Sequence, residues 1–70
     1  MKSSDVRKKI LAHVDKLQEM MEANVHLSDP ATVGDQISIC SGYFHVLDEE
    51  DREYLQMARD AVEEGREWKV

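Results

Sequence analysis

Residues 47–68 read LDEEDREYLQMARDAVEEGREW, and this stretch decides the fold class. Asp48 stands where a helix N-cap would, and Glu49, Glu50 and Asp51 then place negative charge against the positive end of a helix dipole. Behind them Leu55, Ala58, Val62 and Gly65 recur at steps of three and four, the spacing of one helical face. The apolar set is completed by Tyr54, Met57, Ala61 and Trp68. The small side chains at Ala58, Ala61 and Gly65 would let another helix approach closely. A helix over about 49–67 is expected.

The same periodicity appears upstream. Val6, Ile10, Val14, Leu17 and Met21 step by four, four, three and four, and Leu11 and Met20 widen that stripe. With Ser3 or Ser4 as a cap, a first helix over about 4–25 follows, fading near Asn24. Asp29-Pro30 then reads as an N-cap followed by proline at the first helical position. From there Val33, Ile37, Cys40, Phe44 and Leu47 form a heptad-like stripe, which predicts a second helix over 30–47. A hairpin competes over 36–47, because QISIC and YFHVL are rich in strand formers and Ser41-Gly42 could turn between them. The helix is favoured, since a lone hairpin beside two helices would leave its edges unpaired. The expected fold is all-α, one domain over 1–70, a small bundle of three main helices with the second one central. If the stripes are wider than one chain can cover, two chains would pack as a homodimer.

Length and charge bound the function. A chain of 70 residues buries only roughly 60% of its unfolded surface, and its core supplies about 3–5 kcal/mol net. A deep substrate pocket would consume much of that core. The single Cys40 cannot form an internal disulfide, which suits a reducing compartment. No apolar run approaches the ~20 residues of a membrane span, and Met1–Asp5 turns charged without a signal-peptide core, so a cytoplasmic protein with no membrane partner is expected. The net charge of −6 is unevenly spread. Residues 1–16 hold five basic against two acidic side chains, residues 17–47 hold four acids and no base, and residues 48–70 hold nine acids against four bases. Such a field disfavours broad nucleic-acid binding.

The chemistry-bearing residues form no legible reaction. His13, His26 and His45 pair neither with one another nor with Cys40 at zinc spacing, so no metal site is expected, and the Glu22–His26 and His45–Glu49 pairs read as surface side chains near helix ends. Cys40 lies on an apolar stripe, where a structural role is expected rather than a nucleophilic one. The acids at 48–51 lack the glycine-centred spacing of a calcium loop. With no phosphate-binding glycine loop and no triad, neither an enzyme nor a cofactor is expected. Two kinds of surface remain. Lys2, Arg7, Lys8, Lys9 and Lys16 could contact phosphates, although consecutive cations on a helix fan over its circumference. Met20, Met21 and Trp68, with Met57, could meet a partner protein through adaptable apolar side chains, and core filling is the competing role for each.

One family resemblance is carried by Tyr43-Phe44-His45-Val46-Leu47-Asp48-Glu49-Glu50-Asp51-Arg52-Glu53-Tyr54-Leu55-Gln56, followed by Ala58 and Ala61. Over roughly residues 37–68 the chain resembles a family of small helical proteins of T4-type phages, encoded next to the UvsW recombination helicase. The resemblance implies a phage source and a compact bundle similar to the accessory nucleic-acid-binding module of RecQ-type helicases. It implies a role auxiliary to DNA recombination, repair or replication, with a helicase or recombination factor as partner. It implies no catalytic residues. The charge of −6 without a coherent basic face departs from a DNA-binding module. Three readings follow: a non-catalytic accessory protein acting by protein–protein contact, a weak DNA-binding module using the N-terminal cations, and an acidic inhibitor that imitates nucleic acid through Asp48–Asp51 and Glu63–Glu67.

Overall fold

A computed structural model describes residues 3–68, and in it every regular element is helical: α1 (Ser3–Glu22), α2 (Val25–Ser28), α3 (Pro30–Ser41), a 3-10 turn (Phe44–Val46) and α4 (Glu49–Glu64). The three long helices match the expected number, and α2, a single turn that sequence reading treated as a break, is added between the first two. The helices α1 and α3 run side by side, and α3 packs on α4 with its other flank, so the second long helix is the central one. The bundle measures 38 × 20 × 17 Å.

The apolar stripes face inward as their spacing requires. Ile10, Val14, Leu17 and Met21 from α1 meet Val33, Ile37 and Cys40 from α3, and Leu47, Leu55, Ala58 and Ala61 close the core from the α4 side. Each fully buried large side chain of this set contributes roughly 1.5–3 kcal/mol by leaving water. Leu11 departs from the expectation by staying about 38% exposed at the edge of the core, and Ala61 rather than Val62 is the fully buried residue late in α4. A polar tie joins α1 to α3. Buried Gln36 donates from Nε2 to the His13 carbonyl at 2.8 Å, with His13 Nδ1 at 3.4 Å.

Four helix ends differ from the sequence reading or refine it, each for an identifiable reason. The first helix stops at Glu22, not 25, because Asn24 takes the left-handed conformation at φ 55°, one that asparagine tolerates better than most residues. The second begins as expected: Asp29 accepts from the Thr32 amide and hydroxyl, and Pro30 follows at the first helical position. It ends at Ser41 instead of 47. Residues 36–47 are therefore neither a hairpin nor a continuous helix, since the chain leaves α3 through Gly42-Tyr43 and turns once more in 3-10 form. Arg52 fixes that exit by donating to the carbonyls of Phe44 (3.0 Å) and His45 (3.3 Å), with its guanidinium 5.2 Å from the Phe44 ring centroid. The last helix stops at Glu64, not 67. Gly65 lies at φ 65°, and the Arg66 amide reaches back to the Ala61 carbonyl at 3.2 Å, a Schellman-type ending.

Asp48 occupies the N-cap position of α4 without bonding its amides; its carboxylate pairs with Arg7 at 3.3 Å instead. Both partners of that pair are largely exposed, so it adds little to stability. Arg52 is the arginine that matters. Arg52→Ala is expected to destabilise the fold by about 1–3 kcal/mol, the range for hydrogen bonds from a charged donor, whereas Arg7→Ala should change it by less than about 1 kcal/mol. Urea unfolding followed by circular dichroism separates the two.

Candidate functional site

The strongest surface feature lies at the C-terminal end, where residues 65–68 leave α4 and fold back across the junction of α1 and α2. Three contacts hold this segment. The Trp68 amide donates to Asn24 Oδ1 at 2.9 Å. The Arg66 carbonyl accepts from His26 Nε2 at 2.6 Å. The Trp68 ring meets Tyr54 edge-on, with centroids 5.2 Å apart and planes at 61°. Asn24 thus does two jobs, turning the chain at its own position and receiving the returning segment. His26 is 1% exposed, which corrects its expected place on the surface. With Nε2–H donating to the Arg66 carbonyl, Nδ1 is buried without a partner among the described residues, a cost of about 1–3 kcal/mol that the other contacts of this segment must offset. Burial, and secondarily the negative charge of Glu22, raises the Tyr54 hydroxyl above its ordinary value of 10.0, so this ring stays neutral against Trp68.

The clasp forms one wall of a groove of about 400 Å³ lined by Met57, Ala61, Arg66, Glu67 and Trp68. Met57 is 56% exposed and Trp68 is partly buried against the core, so both present apolar surface at the groove. Of the residues expected to meet a partner, Trp68 is here. Met21 is not: it is fully buried in the core, where its position on the α1 stripe puts it. Met20 is half-buried and packed against that core.

Along α4 the surface is acidic, and four arginines make contacts within the chain. Arg52 holds the α3 exit, Arg59 donates to Ser41 Oγ at 3.2 Å, Arg66 pairs with Glu64 at 2.6 Å, and Arg7 reaches Asp48. Glu49, Glu50, Glu53, Asp60, Glu63 and Glu67 are exposed, and none of them forms an ion pair among the described residues. At the start of α4, partial burial raises the Asp51 carboxyl above its ordinary value of 3.8. Asp48, Glu50 and Asp15 push it further in that direction, against a smaller opposing pull from Arg7. The field at that end is negative enough to be felt by its own members.

The N-terminal cations do not form one face. Arg7 is turned toward Asp48, Lys8 is exposed about 100° around α1 from it, and Lys9 and Lys16, seven residues apart, share a third stripe. Lys2 lies outside the described residues. Lys9 borders a smaller cleft of about 170 Å³ with Val6, Ile10, His13 and Tyr43. No helix of the described residues is long and apolar enough to cross a membrane, and among them no three His, Cys, Asp or Glu side chains are grouped to hold a metal ion.

Cys40 is fully buried on α3, and burial raises its thiol above the ordinary value of 9.0, with the charge of Asp51 adding to the effect. The folded state therefore favours the protonated thiol. That contribution is intact below pH 9.0 and is lost as the pH climbs past the value for the unfolded chain toward the higher folded value. The native protein is expected to resist alkylation by iodoacetamide at pH 8 and to react fully in denaturant; mass spectrometry of the native sample reads this directly. Compared with protein-family models, curated proteins and solved structures, the chain matches none.

Proposed function

We propose that this protein is a non-catalytic accessory factor that works by binding another protein through the acidic surface of α4. The observation that carries the reading is the excess of exposed carboxylates on α4: Glu49, Glu50, Glu53, Asp60 and Glu63 are turned to solvent and form no ion pair among the described residues, while Arg7 and Arg66 are each paired with an acid. A field of one sign steers a partner of the opposite sign and repels polyanions. The partner's contact surface is therefore basic, and DNA is disfavoured as the primary ligand. The resemblance over residues 37–68 supplies the candidate: a recombination helicase of the UvsW type, whose DNA-binding surface is necessarily cationic. In that setting the protein is a phage-encoded auxiliary to recombination, repair or replication.

The same carboxylates favour a second reading, in which the acidic row occupies a basic nucleic-acid groove and inhibits its owner. The two differ in consequence, because an accessory factor leaves the partner's DNA binding intact and an inhibitor competes with it. Isothermal titration against a UvsW-type helicase tests both. Binding is expected at low salt, should weaken as salt rises, and should fall at least about tenfold in a Glu53→Gln/Asp60→Asn/Glu63→Gln variant. Binding that survives the three neutralisations, or preference for single-stranded DNA over the helicase, contradicts the proposal. Loss of the helicase's DNA binding on saturation selects the inhibitor.

A further inference from the structure

The acidic surface has a single apolar centre. On α4, Met57 lies at the middle of a stripe that runs Glu50, Glu53, Met57, Asp60, Glu64, positions separated by three or four residues and so stacked along one face. Glu50, Glu53, Asp60 and Glu64 are exposed on it, and Met57 is its one large apolar side chain open to solvent. Glu50 to Glu64 spans about 21 Å, the length of roughly four helical turns. Beside Met57 lies the groove of about 400 Å³, with Ala61 among its lining and Trp68 as a wall.

That wall is fixed before any partner arrives. Gly65 turns the chain at φ 65°, Asn24 receives the Trp68 amide, His26 donates to Arg66, and Tyr54 meets the indole edge-on. A groove built on held side chains loses little freedom on binding, which is the condition for one anchor residue to count.

We infer that the Met57–Trp68 groove is the anchor pocket for a short cationic amphipathic helix of a partner protein. One large aliphatic or aromatic side chain of that helix enters beside Met57, and lysines or arginines three and four positions to either side meet Glu53, Asp60 and the neighbouring carboxylates. Charge complementarity selects this occupant. A second copy packed α4 against α4 would set carboxylates against carboxylates, and a nucleic acid would set phosphates there. The inference rests on the acidic-surface reading and adds to it a place, a secondary structure and an anchor. The cost of ordering the peptide falls on the partner.

The test uses the protein's only tryptophan as its reporter. Two 15-residue alanine-based helical peptides are titrated into the whole chain. Both carry the same lysines, but one has a central phenylalanine and the other alanine at that position. The phenylalanine peptide is expected to change Trp68 emission saturably and to bind about tenfold or more tightly than the alanine peptide. Met57→Ala, a change at an exposed position, should erase most of that difference while leaving the circular dichroism spectrum unchanged. If both peptides bind alike and Trp68 does not respond, the acidic surface stands and the anchor pocket is refuted. If neither peptide binds at low salt, both readings fall together.

Discussion

Twelve residues of α3 have to serve two helices at once, and the rest of the molecule is arranged around that demand. A helix with neighbours on both flanks must set its one buried stripe at the junction of the two. In α3 only Asp35 is charged, and Val33, Ile37 and Cys40 are buried. The α1 flank also carries a polar tie from Gln36 to His13. On the α4 flank the accommodation is made by the partner, which buries Leu55 but otherwise offers the small Ala58 and Ala61. Close approach there leaves the larger apolar side chains of α4 to act elsewhere. Tyr54 packs with Trp68, and Met57 stands outside.

The same economy governs the loops. A short core cannot also fasten the loops, so side chains do it: Arg52 holds the exit from α3, Arg59 reaches Ser41, and Asn24 with His26 fastens the C-terminal segment. Arg59 and Arg66 stay exposed while they do so, and the exposed acids of α4 outnumber them. The groove beside the proposed α4 surface is bounded by the same segment that closes the bundle. Structure and binding face share one set of contacts, so a change at Asn24 or His26 would act on both.

Much of the fold was legible in the sequence, because stripes at steps of three and four carry over directly into buried faces. Ile10, Val14, Leu17 and Met21 lie where their spacing puts them, and so do Val33, Ile37, Cys40 and Leu47. The helix ends were less legible. Phe44 and Leu47 continue the α3 stripe in register although the chain has already left the α-helix, since a 3-10 turn can keep an apolar residue on the same side. Gly65 fell on an apolar period and was read as part of a face, when its left-handed backbone ends the helix. The site was the least legible part. Trp68 stood out by type, but its partners Asn24 and Tyr54 lie 44 and 14 positions away, His26 bonds Arg66 across 40, and no local pattern marks such pairings. His26 next to a predicted helix end looked like a surface residue, and only the returning chain buries it. The contacts of the arginines belong to the same class: the number of arginines is in the sequence, and their partners are not.

Native-state amide hydrogen exchange, read residue by residue by NMR, tests the account most directly. The central claim is that α3 is the shared scaffold and that the C-terminal segment, fastened at the junction of α1 and α2, belongs to the same cooperative unit. The amides of Gln36, Ile37 and Cys40 should then exchange only through global unfolding, and the Trp68 amide, bonded to Asn24, should be strongly protected although it lies outside any helix. A Trp68 amide exchanging at the rate of an open chain, or an α3 that opens more readily than α1 and α4, would contradict it.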